Sequence, residues 1–270
     1  MNKIYFLILF LFSIIISCRK EQNNTIGNTL ELLKAKKGVE AGIYDQQGRY
    51  IILRGVNYNV LGDYWQANST VATQKKYEEN DIKLMAKYGF NCIRLLFSWS
   101  RLEPQKGNYN QAYINEIKQI IEVAAKYNIY VLLDMHQDAY SKYVVTPANL
   151  TCDKPNKGWD GAPDWATITD GASTCTTDGS RESAPAVVHA WQNLWDNKNG
   201  IQDACINAWI ALVKQTAKYS NVVGYDLINE PSLGYQAINQ QADKMGKFYG
   251  SLTQQIRTAE NEVKALQHII

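Results

Sequence analysis

The stretch that decides the fold reads NVVGYDLINEP and runs from Asn221 to Pro231. Its apolar centre predicts a buried strand that is covered on both faces. Pro231 ends that strand, because proline cannot continue a hydrogen-bonded ladder. Asn229 and Glu230 therefore stand at the carboxyl end of a central strand, the edge where parallel α/β barrels carry their chemistry. The alternative for Glu230 is a structural ion pair with a neighbouring Arg or Lys.

Strand and helix patterns alternate on both sides of this stretch. Strands are predicted at residues 51–58, 91–97 and 130–134, helices at 75–88, 110–127, 201–219 and 241–258, and the start of a fifth strand at 268–270. This alternation predicts βαβ units and a parallel sheet, which is an α/β fold. No Gly-rich phosphate loop follows the first strand, which argues against a dinucleotide-binding domain. Polar residues at successive strand ends favour a (β/α)8 TIM barrel over an open doubly wound sheet, with the chain ending after the first four to five strands.

Residues 143–200 interrupt the alternation. They carry few periodic apolar runs and many turn-forming residues, so we predict a long insertion on the active face. Cys152 and Cys175 flank part of it and are the expected disulfide, the alternative being two unrelated thiols. Cys92 and Cys205 are expected in the core. A hairpin is predicted at residues 43–50.

The N-terminus predicts export. Residues 4–16 are almost wholly apolar but too short to span a bilayer, which is typical of a signal segment. The run ending at Cys18 resembles the lipobox of bacterial lipoproteins, whose cysteine is lipidated. We therefore predict a lipoprotein signal peptide at 1–18, a tether at 19–40 and a catalytic region at 41–270. The protein would be lipid-anchored in the bacterial cell envelope, or secreted if the lipobox is not used.

Charge gives no indication of a polyanionic partner. The formal net charge is +2, so we expect no binding to nucleic acid. The chain has 7 Trp and 17 Tyr, residues that suit stacking against sugars. No CxxC motif or His cluster predicts a metal.

Two further strands bring charged residues to the same edge. Arg94 interrupts an apolar strand and needs an anion, either at the site or in an inter-strand ion pair. Asp134, His136 and Asp138 alternate along the third strand, so they share one side. This would gather two carboxylates and an imidazole; the alternatives are loop hydrogen bonds or, for His136, a metal ligand without an apparent third partner.

Four motifs in this order resemble glycoside hydrolase family 5. They are RGVN at 54–57, GFNCIRL at 89–95, DMHQD at 134–138 and NEP at 229–231. The DMHQD run most resembles the endoglycoceramidase branch and its glycosylceramide- and sterylglucoside-cleaving relatives. The resemblance spans about residues 43–270 and implies a (β/α)8 barrel of retaining glycosidases that use no cofactor.

The resemblance also implies a role for each matching residue. Glu230 corresponds to the general acid/base. Asn229 corresponds to the amide that holds the sugar 2-hydroxyl, and Arg94 to the arginine that orients the nucleophile and keeps it ionised. His136 and Asp138 correspond to sugar-contacting residues.

One family residue has no counterpart. The family nucleophile is a Glu after the seventh strand, whereas the acids that follow Glu230 are Asp243, Glu260 and Glu262, all near the fourth helix. We therefore expect this chain to be an inactive fragment.

The leading hypothesis is a retaining β-glycosidase that acts on glycosylceramide-type glycolipids. One alternative is a family 5 endo-β-glucanase or other polysaccharide hydrolase. The other is a non-catalytic, glycan-binding surface lipoprotein.

Overall fold

The structure is a computed structural model that describes residues 30–67 and 74–267. The signal segment, Cys18 and the predicted fifth strand at 268–270 lie outside the described residues. No helix within the described ranges has the length and apolar content needed to cross a bilayer.

The regular elements follow the predicted alternation. The strands of the described residues are β1 (Lys34–Lys36), β2 (Gly42–Tyr44), β3 (Gly55–Leu61), β4 (Cys92–Phe97), β5 (Tyr130–Met135) and β6 (Val222–Asp226). The α-helices there are α1 (Glu79–Lys87), α2 (Trp99–Leu102), α3 (Gln111–Lys126), α4 (Pro185–Trp195), α5 (Ile201–Thr216) and α6 (Ile238–Gln267). Short 3-10 helices lie at Asp164–Ala166, Arg181–Ser183 and Lys198–Gly200.

The central sheet decides between the two candidate α/β folds. Its order is β3-β4-β5-β6, and each neighbouring pair is parallel. A doubly wound sheet reverses its strand order at a switch point, whereas here spatial order equals chain order. Four sequential parallel strands with intervening helices are the arrangement of the first half of a (β/α)8 barrel.

The two faces of this sheet carry different kinds of side chain. Ile93, Leu95 and Phe97 alternate on β4 and are fully buried, with the Phe97 ring 5.2 Å from that of Trp209 in α5. This face packs under the helices. Arg94 on β4 and Leu132 on β5 point to the opposite face and are only partly buried. The second face corresponds to the interior of a barrel and carries the polar residues of the site.

The predicted insertion contains a buried helix. We expected residues 143–200 to form a loop, but α4 lies within them and buries Val187, Ala190, Trp191 and Leu194. The helix was missed because it is buried on most sides and so lacks the polar face on which helical periodicity depends. Cys152 and Cys175 are disulfide-bonded, and Cys92 and Cys205 are free and buried.

The predicted hairpin at 43–50 is present in short form: Tyr44 and Tyr50 form an antiparallel bridge, and the Ile51 amide donates to the Ile43 carbonyl at 2.8 Å. Strand β2 also pairs antiparallel with β1, which lies in the segment predicted as a tether. The first core strand begins at Gly55 rather than near residue 51. The Asn91 side chain accepts from the Arg54 amide at 2.6 Å and donates to the Ile52 carbonyl at 2.9 Å, and the Asn91 amide donates to the Arg54 carbonyl at 2.9 Å.

Candidate active site

The polar residues expected at the strand ends meet at one edge of the sheet. Arg94 lies on β4, Asp134 lies on β5, and Asp134 pairs in register with Asp226 of β6. His136 and Asp138 follow β5, and Asn229 and Glu230 follow β6. Parallel strands bring these segments together because all their carboxyl ends face the same way.

Arg94 is the centre of the hydrogen-bond network. Its Nε and Nη2 donate to Asp226 Oδ2 at 3.0 and 2.8 Å, and Nη2 also donates to Asn229 Oδ1 at 3.0 Å. The same Nη2 is 3.2 Å from Oδ1 of the fully buried Asp134. The guanidinium therefore joins β4, β5 and β6 as an inter-strand ion pair and at the same time holds the Asn229 amide. The sequence left two alternatives for Arg94, an anion at the site or an inter-strand ion pair. The inter-strand ion pair is present, and it lies at the same sheet edge as the candidate site residues.

His136 lies between two carboxylates. Its Nδ1 is 2.8 Å from Asp134 Oδ2, and its Nε2 is 3.3 Å from Asp138 Oδ2. Burial opposes the charged imidazolium, but the two carboxylates outweigh it and raise the pKa of His136 to about 9. Burial likewise opposes the ionised Asp138, yet the hydrogen bond from His136 leaves the pKa of Asp138 below its usual value. Among the described residues, no group of three or more His, Cys, Asp or Glu side chains is arranged to hold a metal ion.

Asn229 is held from two sides. Its Oδ1 accepts from Arg94, and its Nδ2 donates to the Gln137 carbonyl at 3.0 Å. The amide orientation is therefore fixed, with little freedom to rotate. A fixed amide at this edge suits recognition of a sugar hydroxyl.

Glu230 is in a different environment from its neighbour. Its backbone has φ 37°, a left-handed conformation that costs a non-glycine residue free energy and is often found at functional sites. Its side chain is exposed and makes no hydrogen bond or ion pair with other described residues. The carboxyl group is thus free to meet a substrate next to the Arg94 network.

Sequence reasoning missed three contributors to the site. Asp226 is the single charged residue between Val222 and Ile228, which is a signal that could have been used. Tyr64 and Trp159, whose rings are 5.1 Å apart and edge to face, had no such signal. The Trp159 side chain also helps to lower the pKa of Asp138. These contacts extend the site toward the insertion.

A small cavity lies behind His136 and is not the substrate site. It has a volume of about 20 Å³ and is lined mainly by apolar residues, including Trp99, Met135 and Trp191. This is room for about one water molecule. A ligand larger than water could bind only on the open side of the sheet edge.

Comparison with known proteins places this geometry in context. The model of the family Cellulase (glycosyl hydrolase family 5) matches residues 44–270. An endoglycoceramidase from Hydra vulgaris is 31% identical over 217 residues, which cover 71% of this chain and 39% of that protein. The crystal structure of endogalactoceramidase matches with a TM-score of 0.82 and 39% identity over 86% of this chain and 51% of that one. Endo-glycoceramidase II from Rhodococcus sp., in its ganglioside GM3 complex, matches with a TM-score of 0.65 and 29% identity over 81% and 49%.

The chain spans about two fifths of the Hydra relative and about half of the two solved structures.

Proposed function

Because this chain belongs to glycosyl hydrolase family 5, we propose that its sheet edge is half of the active site of a retaining β-glycosidase. The family bears out the (β/α)8 barrel and the O-glycosidase class expected from the four motifs. The observation that carries the proposal is the juxtaposition of the Arg94-bound Asn229 amide with the exposed, strained Glu230. One group is fixed for recognition and the other is free to react.

Each residue then has a chemical task. Glu230 protonates the leaving glycosidic oxygen and afterwards removes a proton from water. Asn229 holds the sugar 2-hydroxyl, while His136 and Asp138 bind further hydroxyls. Arg94 keeps the amide in place and supplies positive charge beside the reacting carboxylates.

A retaining mechanism also needs a nucleophilic carboxylate about 5–5.5 Å from the general acid. Asp134 and Asp226 are bound to Arg94, and Asp138 is bound to His136. All three are committed to holding cations, so we assign the nucleophile to none of them.

We propose a glycosylceramide-type glycolipid as the substrate. The support is the relationship to the endoglycoceramidase from Hydra vulgaris and to endogalactoceramidase. The competing substrate class is a β-glucan, which is consistent with the name of the family. Thin-layer or mass-spectrometric assays of the complete gene product on lactosylceramide and on cello-oligosaccharides separate the two. Cleavage of cello-oligosaccharides alone would remove the glycolipid assignment.

The test of the catalytic role is Glu230→Gln in the complete gene product. We expect kcat on natural glycosides to fall by about a hundredfold or more, because the leaving oxygen loses its proton donor. Activated aryl glycosides should lose much less in the first, bond-breaking step, because their leaving groups need no proton. Rates of aglycone release on both substrates measure the difference.

Glu262→Gln is the matched control. Glu262 lies on α6 in an exposed ion pair with Lys214 at 3.4 Å and makes no hydrogen bond or ion pair with the described residues of the candidate site. It should retain the parent rate. Equal activity of Glu230→Gln and the parent on natural glycosides would overturn the proposal.

A further inference from the structure

Arg181 is a cation in the insertion that the proposed reaction does not use. Its guanidinium carbon lies 3.9 Å from the centroid of the Trp159 ring, within the range of a cation–π contact. Its Nε is buried and has no hydrogen-bond partner within the described residues. The nearest acid is Glu182, 3.8 Å from Nη2 and itself largely exposed, so the charge is not neutralised by a close partner.

Trp159 connects this cation to the candidate sugar site. The backbone bridge between Asp138 and Asp160 brings Trp159, the residue before Asp160, next to Asp138, and the Trp159 side chain helps to lower the pKa of that carboxyl. Arg181 also exerts a favourable charge interaction on Asp138. A continuous line of neighbouring side chains thus leads from the site to the insertion, in the order His136, Asp138, Trp159 and Arg181.

The scaffold fixes this line in place. The Trp159 carbonyl accepts from the Trp65 amide at 2.7 Å, and the Arg181 carbonyl accepts from Asn156 Nδ2 at 3.4 Å. The disulfide between Cys152 and Cys175 closes the loop that contains Trp159. The Arg181 backbone is thus anchored by Asn156, and its guanidinium lies against the Trp159 ring.

We propose that Trp159 and Arg181 form a subsite for an anionic substituent on the glycan, a carboxylate or a sulfate; this rests on the proposed function. The guanidinium covers one face of the indole, so that face is not available for stacking on a sugar. What the pair presents instead is a planar donor set with its side chain 35% exposed, the geometry that binds carboxylate and sulfate oxygens in pairs. Asp138 does not repel the anion strongly, because His136 compensates its charge.

The test measures binding of free oligosaccharides to the complete gene product by isothermal titration calorimetry. The probes are lactose, 3′-sialyllactose and lactose 3′-sulfate, which carry no aglycone to be cleaved. We expect at least one anionic probe to bind roughly tenfold more tightly than lactose, as a charge-assisted hydrogen bond provides. The two anionic probes distinguish carboxylate from sulfate recognition.

Arg181→Met should abolish this advantage, because methionine keeps the contact with Trp159 but has no charge. Its affinity for lactose should stay at the parent value, which also shows that the variant is folded. Arg181→Lys keeps the charge without the planar donor set and should restore part of the advantage. Arg257→Met is the matched control, since Arg257 pairs with Glu260 on the exposed side of α6, and it should retain the full advantage.

The outcomes separate the two proposals. If the parent binds lactose and the anionic probes equally, or if the advantage persists in Arg181→Met, the subsite is wrong while the glycosidase proposal stands. If the complete gene product cleaves no glycoside at all, the proposed function fails. The binding comparison would still decide whether Arg181 recognises anions.

Discussion

His136 shows how two neighbouring side chains set the charge of a third. In the unfolded chain its pKa is near 6.5, and between Asp134 and Asp138 it rises to about 9. The folded state therefore binds a proton more tightly than the unfolded state. The resulting stabilisation is complete below pH 6.5 and is lost as the pH rises through 9. The gap between the two pKa values corresponds to roughly 3 kcal/mol.

We expect the free energy of unfolding to decrease between pH 6 and pH 10, and to decrease by less in His136→Gln, which removes the titrating group. Urea denaturation across this range measures the change. His189→Gln is the control, because His189 lies outside the site, 3.6 Å from Asp170. Identical pH profiles for His136→Gln and the parent would show that His136 is not protonated in this way.

At the scale of elements, the insertion behaves as a structured part of the barrel edge. Helix α4 contributes Trp191 and Trp195, whose rings stack 5.5 Å apart, and Tyr140 after β5 packs edge to face against Trp191. The Trp195 indole N–H donates to the Ser232 carbonyl, two residues after Glu230. The segment that follows the candidate acid is therefore positioned by a helix of the insertion.

The disulfide makes a measurable contribution to this element. Cys152 and Cys175 are separated by 23 positions, and closing a loop of that size stabilises the folded state by about 3 kcal/mol in the chain-entropy account. We expect the double variant Cys152→Ser, Cys175→Ser to have a free energy of unfolding about 3 kcal/mol below that of the parent. Its urea midpoint should therefore be lower. Reductant should shift the parent to the same midpoint and leave the variant unchanged. A parent midpoint that is insensitive to reductant, and equal to that of the variant, would contradict this.

At the scale of the whole molecule, the sheet has two edge strands that lack a second partner among residues 30–67 and 74–267. Strands β3 and β6 each have one neighbour in the four-stranded sheet of the described residues, and every residue of β6 is only partly buried. Free backbone donors and acceptors at such an edge favour pairing with another chain. The relatives, which are longer, match this chain over part of their length.

We therefore expect the 270-residue chain to self-associate with increasing concentration in sedimentation velocity. Val223→Lys should reduce association, because Val223 lies at the register shift of the edge strand β6 and a charge there opposes pairing. A 270-residue chain that stays monomeric across the concentration series would show that its edges are protected.

The sequence by itself determined the four parallel strands, the alternating helices and the family, because periodic apolar patterns and short motifs are local properties of a chain. It also indicated that Arg94, His136, Asp138, Asn229 and Glu230 belong to one sheet edge, since each follows or interrupts a strand. Their catalytic and binding roles stay predictions.

Only the tertiary structure decided which of these groups touch and in what state of charge. Asp226 holds Arg94 across 132 positions of the chain, and the pKa of His136 is raised because folding places the ring between two carboxylates. Helix α4 and the pairing of Trp159 with Arg181 left no signal in the sequence, each for its own physical reason. A helix buried on most sides has no polar face to reveal its period, and contacts between distant residues leave no local pattern.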